Sequence, residues 1–395
     1  MEQTAKGNRL HIGIFGKTNS GKSSLLNAIT AQEVSLVSEK AGTTTDAVYK
    51  AMEVPEIGPV IFIDTAGFSD TSSLQNERLG ITKKIIDRVD LAILLLSTDD
   101  PTFKAEKLWY DLLSKREVKI IVAISKCDTK NLRVVQAAAE KVFRQKVLLV
   151  SAKEKTNFNV LFDKIKKYTA AEETPLTEHL VQSGDLVLLV MPQDKAAPKG
   201  RLILPQVQTI RSLLDAHCLV LCVSDKEFQQ ALERLKKAPA LIIVDSSVFH
   251  TVYPLKPAES KLTSFSILFS AQKGDLKTFV AGAKKIQRLD AHAKILIQEA
   301  CTHAPLSEDV GRVKIPALLR KKVSPDLAIT VRAGFDFPDD VDSYDLVIQC
   351  GSCMLTRKQV LNRIAMLKEK QIPVTNYGIA IAELLGMLDK VLLNF

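Results

Sequence analysis

An apolar run over residues 10–15 leads directly into Gly16-Lys17-Thr18-Asn19-Ser20-Gly21-Lys22-Ser23, and a helix-like Ser24-Leu25-Leu26-Asn27-Ala28-Ile29 follows. No other stretch constrains the fold so tightly. A strand, a glycine-rich turn and a helix in that order form a phosphate-binding loop. Glycine lets the backbone wrap until successive N–H groups point inward at phosphate oxygens, beside the partial positive charge of a helix N-terminus. Lys22 is expected to reach the outer two phosphates, and the Ser23 hydroxyl to complete a Mg²⁺ shell. Gly16, Lys17, Asn19, Ser20, Gly21 and Ser24 complete the expected cradle.

Companion motifs name the base. Asp64-Thr65-Ala66-Gly67 ends a second apolar run, Val60-Ile61-Phe62-Ile63, which puts the Asp64 carboxylate at a strand tip to hold Mg²⁺ through water. Ile120-Ile121-Val122-Ala123-Ile124 runs into Ser125-Lys126-Cys127-Asp128. Asp128 can accept two hydrogen bonds from the guanine N1–H and N2–H₂ edge, which adenine cannot supply, while the Lys126 stem covers the ring. Val147-Leu148-Leu149-Val150 leads into Ser151-Ala152-Lys153, a loop suited to the guanine O6. Gly42-Thr43-Thr44-Thr45-Asp46 offers Thr44 as a second hydroxyl on Mg²⁺. Five signals in this order resemble the small GTPases of the Era and MnmE group. That resemblance implies a P-loop domain over residues 1–172 that binds GTP and GDP with Mg²⁺. Lys22, Thr44, Asp64 and Gly67 would form its hydrolytic machinery.

Two departures from that pattern bear on chemistry. The guanine motif usually begins with Asn, and here it begins with Ser125, which is shorter and can make fewer loop-bracing bonds. Guanine preference is expected to survive through Asp128, with weaker nucleotide affinity. Phe68 follows Gly67 where Ras-like enzymes carry a water-orienting Gln. A phenyl ring cannot position water, so hydrolysis is expected to be slow. The likeness to MnmE implies a remedy, because an Asn at the place of Asn19 helps that group bind a potassium ion that acts like an arginine finger. The alternative for Asn19 is a turn residue that tolerates left-handed backbone.

Length and composition bound the rest. A chain of 395 residues suits two or three domains, and 46% hydrophobic with 25% charged residues reads as an ordinary globular protein. No apolar run approaches the ~20 residues needed to span a bilayer. The start, Met1-Glu2-Gln3-Thr4, lacks a basic region and a long apolar core, so no signal peptide is expected. A cytoplasmic protein, without a membrane partner, is the expectation. Six cysteines in a reducing compartment argue for free thiols or metal ligands rather than disulfides. The net charge of +9 is spread, with its densest clusters at Lys164-Ile165-Lys166-Lys167 and Arg320-Lys321-Lys322. A solvated lysine-rich surface explains it better than nucleic acid, for which no binding module is evident.

The remaining chain reads as two further α/β units, giving a three-domain α/β protein. A helical stretch at 159–168 closes the first domain, and a polar linker surrounds Glu172-Glu173-Thr174-Pro175. Residues 173–262 alternate strand and helix, with strands expected at 185–191, 218–223 and 241–244 and helices near 206–215 and 225–237. This stretch holds no catalytic constellation, and its Cys218 and Cys222 are expected to be small core residues. The apolar patch Arg201-Leu202-Ile203-Leu204-Pro205 suits self-association. Over 263–395, strands are expected at 265–269, 294–298, 327–331, 345–348 and 373–375, with helices at 276–289, 357–369 and 380–393. Such alternation implies a mostly parallel, Rossmann-like sheet, whose ligands bind at the carboxyl edge.

The chemistry sits at that edge. One strand runs into Glu299-Ala300-Cys301-Thr302-His303 and another into Gln349-Cys350-Gly351-Ser352-Cys353. Thiols converging from two loops suit a zinc site with three Cys and one His, or a four-iron cluster with three cysteines and one other ligand. The radical-SAM spacing Cys-x₃-Cys-x₂-Cys is absent. These segments, with Glu308-Asp309-Val310-Gly311-Arg312-Val313-Lys314-Ile315-Pro316, resemble the HydF family of GTPases in [FeFe]-hydrogenase maturation. The resemblance covers all three units. It implies a GTPase domain, a dimerisation domain and a domain carrying [4Fe–4S] on Cys301, Cys350 and Cys353. It also implies a scaffold that carries a diiron precursor bearing CO, cyanide and a dithiolate bridge. The partners would be a second copy of the chain, the radical-SAM maturases HydE and HydG, and apo-[FeFe]-hydrogenase. Gln349 stands where the family commonly has His, which leaves Glu308 or His303 as the fourth ligand. The competing reading is an Era- or MnmE-like GTPase acting on RNA, with a structural zinc.

Overall fold

The computed structural model describes residues 7, 9–30, 37–38, 48–65, 85–98, 102–128, 132–170, 175–193, 202–300 and 309–393. Thr44, Gly67, Phe68, Arg201, Cys301, His303 and Glu308 lie outside them. The chain forms two compact units, Met1–Glu173 and Thr174–Phe395.

The first unit is built on seven strands: β1 (Leu10–Gly16), β2 (Val37–Ser38), β3 (Val48–Val54), β4 (Gly58–Asp64), β5 (Leu91–Leu96), β6 (Lys119–Ile124) and β7 (Leu148–Leu149). Their order is β2-β3-β4-β1-β5-β6-β7. β1 lies parallel to β4 and β5, and β3 runs antiparallel to β4. The six residues of β5, Leu-Ala-Ile-Leu-Leu-Leu, are all buried, as a central parallel strand covered on both faces requires. One face packs Ile12, Ile14 and Ile93 against Leu25, Leu26, Phe158 and Leu161 of helices Lys22–Thr30 and Phe158–Ala170. The other packs Phe15, Ile63 and Leu94 against Phe103, Leu113 and Phe143, beside helices Lys104–Lys115 and Arg133–Phe143. Each such side chain contributes about 1.5–3 kcal/mol on leaving water, so the sheet's centre is the rigid part of this unit. The register pairs Ile14 with Asp64, which brings the tips of β1 and β4 together. Thr65 fastens them by donating its hydroxyl to the Ile14 carbonyl at 2.7 Å.

The second unit holds eight strands in two sheets. These are β8 (Leu186–Val190), β9 (Leu219–Val223), β10 (Leu241–Val244), β11 (Lys261–Ser264), β12 (Lys294–Glu299), β13 (Ala328–Ala333), β14 (Leu346–Gln349) and β15 (Val374–Asn376). The sheet orders are β11-β10-β8-β9 and β13-β12-β14-β15, and every pairing is parallel. A single core joins Leu188, Val190, Ile242 and Val244 of the first sheet to Leu296, Val347 and Val374 of the second. The expected division at 262/263 falls within β11. Among the described residues no helix is long and apolar enough to cross a membrane.

Two local expectations need correction. Residues 265–269 are not a strand but the start of the helix Phe265–Lys273. Ser264 caps it by accepting from the Ile267 N–H, and Phe265, Ile267, Leu268 and Phe269 are all buried. A short apolar run buried on every side has no period that separates strand from helix. Cys222 is exposed rather than in the core, because β9 is the edge strand of its sheet, where Leu219 also stands 63% exposed. Cys218, at the entrance to that strand, is buried as expected.

Candidate functional site

The loop after β1 has the form that a phosphate cradle needs. A β-carbon at Gly16 would stand 2.6 Å from both the Leu95 carbonyl and the Ser20 hydroxyl, so only glycine fits. Gly21 adopts φ +93°, a left-handed conformation that glycine enters without strain. Asn19 is also left-handed, at φ 64°, and exposed. The Lys22 ammonium, 7% exposed, donates to the carbonyls of Gly16 at 3.0 Å and Lys17 at 2.9 Å, so it lies folded along the loop. Burial lowers its pKa, and the Asp64 carboxylate opposes that shift. Ser23 donates its hydroxyl to Asp64 Oδ2 at 2.6 Å, while Asp64 Oδ1 is buried without a hydrogen-bond partner among the described residues. A hydroxyl from a helix's first turn and a carboxylate at a strand tip, held together with an acceptor to spare, are a donor set that fits Mg²⁺.

The base-reading loops close on the same cradle. Ser125 donates to the Ser20 carbonyl at 2.5 Å, and Lys126 donates to the Asn19 carbonyl at 3.2 Å. Ser125 therefore braces the phosphate loop directly, despite being shorter than the usual Asn. Asp128 accepts from the Ser151 hydroxyl at 2.6 Å, and this bond is the largest cause holding its carboxyl below the usual range. Ser151 in turn accepts from the Glu154 N–H at 3.1 Å, so the loop of Ser151, Ala152 and Lys153 stands beside Asp128. Sequence reasoning missed Glu106. Its carboxylate is fully buried, 3.9 Å from the Lys17 ammonium, and accepts from the Ser97 N–H at 3.4 Å. An acidic residue in a helix's first turn gives no sign of burial.

The second unit gathers its polar groups where β12, β13, β14 and β15 end, at one carboxyl edge. The Cys350 N–H donates to the Gln298 carbonyl at 3.0 Å, and the Cys350 sulfur accepts from the Ala300 N–H at 3.1 Å. Ala300 is the chain neighbour of Cys301. Ser352 turns left-handed at φ 52° and donates to the Cys350 carbonyl, and Thr356 then caps the helix Arg357–Glu369. Cys350 and Cys353 are partly buried free thiols on this turn. Burial raises the Cys353 pKa, Cys350 adds to the shift, and Lys273 opposes it. A cavity of about 90 Å³ adjoins the turn, with Cys350, Gly351, Ser352, Lys273 and Asn376 in its wall. A β-carbon at Gly351 would meet nothing within 4 Å, so neither packing nor backbone calls for glycine there. A peptide N–H on the Cys350 sulfur, with open space above the turn, fits a sulfur-ligated iron cluster. Among the described residues no group of three His, Cys, Asp or Glu forms a metal site, and the remaining candidates, Cys301, His303 and Glu308, lie outside them.

Two charged residues at this edge also escaped the sequence reading. Arg312 pairs with buried Glu299 at 2.8 Å. Arg363 is 5% exposed and shares a buried stripe with Val360, Ile364 and Leu367. A charge placed within an apolar stripe at helical spacing was the available signal.

The first unit, a mostly parallel α/β sheet with a phosphate-binding loop, is a P-loop GTPase domain that binds GTP or GDP with Mg²⁺. A family model described as 50S ribosome-binding GTPase matches residues 11–126. Models for the hydrogen maturase F dimerization and tetramerization domains match residues 176–274 and 277–394. GTPase Der of Wolinella succinogenes is 34% identical over 167 residues, covering 40% of this chain and 35% of that protein. The tRNA modification GTPase MnmE of Caldicellulosiruptor saccharolyticus is 31% identical over 156 residues, 39% of this chain and 33% of that protein. The chain thus spans about a third of the length of these curated relatives. A crystal structure of Aquifex aeolicus Era bound to GDP and aluminium fluoride covers 54% of this chain and 92% of its own, at 19% identity and a TM-score of 0.34. With two hydrogen maturase F models spanning more than half of it, the chain belongs to the hydrogen maturase F family. Those domains make it a self-associating protein.

Proposed function

We propose that this chain is a slow GTPase and an iron–sulfur scaffold, which holds a diiron precursor and delivers it to apo-[FeFe]-hydrogenase. Its division would be a GTP-binding domain over 1–172, a dimerisation domain over 173–262 and a cluster-binding domain over 263–395. The observation that carries the cluster reading is the Cys350 turn at the carboxyl edge, with the sulfur accepting from the neighbour of Cys301. Cys301, Cys350 and Cys353 would hold the [4Fe–4S] group, and Glu308 its fourth iron, with His303 as the alternative. That group supplies an iron site from which a weak carboxylate ligand can be displaced by an incoming precursor. The chain's own part is to fix the thiols, offer the Ala300 N–H to the Cys350 sulfur, and leave room above Gly351.

The open edge of β9, with Leu219 exposed, supports the middle domain as the site of homodimerisation. HydE and HydG would supply the precursor, in the cytoplasm of an anaerobic organism. Potassium near Asn19 would compensate for Phe68 in hydrolysis, and the nucleotide would act as a switch.

The deciding experiment is anaerobic reconstitution with iron and sulfide, followed by metal analysis. Four irons per chain are expected. Cys301→Ser, Cys350→Ser and Cys353→Ser should each lose most of the iron. Glu308→Ala should keep the cluster and alter its reduced paramagnetic spectrum. A colourless protein holding one zinc per chain would overturn the reading in favour of an RNA-directed GTPase.

A further inference from the structure

Arg363 is a buried cation with two of its three guanidinium nitrogens unpartnered among the described residues. The residue belongs to the helix that follows the Cys350 turn, and its side chain reaches the loop after β13. There Nη1 donates to the Phe335 carbonyl at 2.7 Å, and the guanidinium stands 4.2 Å over the Phe337 ring. Nε and Nη2 are buried with no hydrogen-bond partner among the described residues. Burial lowers the pKa of the group to about 10, so it remains charged at neutral pH. The titratable groups that act on it are Cys350 and Asp336, and Asp336 is exposed. Tyr377, from β15's side of the sheet, has a buried hydroxyl that also lacks a partner among the described residues and also faces Cys350.

A buried guanidinium with two unused donors is unfavourable for folding, and an apolar side chain of similar volume would usually do as well or better there. Such a group is explained when an anion completes it. The sulfurs of a thiolate-held iron cluster are anionic and accept hydrogen bonds.

We propose that Arg363 is an anion-binding residue of the cysteine site, giving positive charge and N–H groups to a negatively charged, sulfur-ligated iron cluster held at Cys350 and Cys353. This rests on the cluster reading above and deepens it. The cation balances charge gathered on the cluster and holds its Cys350 side in place. Arg363 is thus a residue kept for a ligand at the expense of the empty protein's stability.

The test uses the full chain as wild type, Arg363→Met and Arg363→Lys. Thermal melting of the iron-free proteins comes first, and Arg363→Met should melt at the same temperature as wild type or higher. After reconstitution, iron loss to a chelator and the midpoint potential, followed by electron paramagnetic resonance, are measured. Arg363→Met should lose iron about tenfold faster, as expected for one charge-assisted hydrogen bond, and its potential should move negative. Arg363→Lys should recover most of both. Iron retention and potential equal to wild type in Arg363→Met would overturn the proposal. So would a lower melting temperature of iron-free Arg363→Met with an unchanged cluster, which would make Arg363 a structural residue. A wild-type chain that takes up no iron would sink the cluster reading and this inference together. A wild type that does, beside an indifferent Arg363→Met, would sink the inference alone.

Discussion

Ser125 gives the most quantitative handle on the nucleotide site. Its hydroxyl donates to the Ser20 carbonyl at 2.5 Å, and the two residues are 9% and 3% exposed. Ser125→Ala removes the donor and leaves a buried carbonyl unsatisfied, which costs about 1–3 kcal/mol. The bond ties the loop that grips the phosphates to the strand tip that leads to Asp128. Its loss should therefore appear in affinity, as about a 5- to 150-fold weaker Kd for GDP. Titration with a fluorescent GDP analogue at fixed Mg²⁺ and salt reads this directly. Ser125→Thr keeps the hydroxyl and should bind close to wild type. An unchanged Kd in Ser125→Ala would refute the idea that this bond orders the cradle.

Potassium should accelerate GTP hydrolysis over sodium, and Asn19→Ala should abolish the difference; equal wild-type rates in the two salts would remove Asn19 from hydrolysis. Residues 175–395, which fall within one compact unit, should remain self-associated in light scattering and bind iron when produced alone, whereas a monomer would place the interface elsewhere. Asp275 caps the helix Leu276–Lys284 and accepts from Lys368 at 2.8 Å. Burial alone would raise its pKa, but the bonds from Lys368 and Thr278 outweigh that and hold it at about 2. A depressed carboxyl contributes stability above its unfolded pKa and loses it as pH falls through the folded value. The melting-temperature gap between iron-free wild type and Asp275→Asn should therefore close between about pH 4 and pH 2, and a pH-independent gap would contradict the role given to its charge.

Much of this molecule was legible because its chemistry is local. The phosphate cradle needs particular residues at fixed spacing between a strand and a helix, and Gly16 through Ser23 met that demand in the described structure. The helix Arg357–Glu369 was equally plain, since Thr356 and Gln359 form a reciprocal cap ahead of an apolar stripe. Less local features were hidden. Residues 265–269 suggest a strand because four of the five in Phe-Ser-Ile-Leu-Phe are apolar, and only the Ser264 cap marks a helix. The burial of Glu106 depends on what other elements bring to it, which no window of sequence contains, whereas the apolar spacing around Arg363 carries a local sign of its burial. The bracing role of Ser125 was likewise unreadable, because its partner Ser20 lies 105 residues away.

The delivery of a diiron precursor is most directly tested by infrared spectroscopy of the chain produced together with HydE and HydG, then mixed with apo-[FeFe]-hydrogenase. The purified chain should show CO and cyanide bands, which should move to the hydrogenase on mixing as hydrogen evolution appears. Bands that never form on this chain, or a hydrogenase activated equally well without it, would contradict its assignment as the carrier.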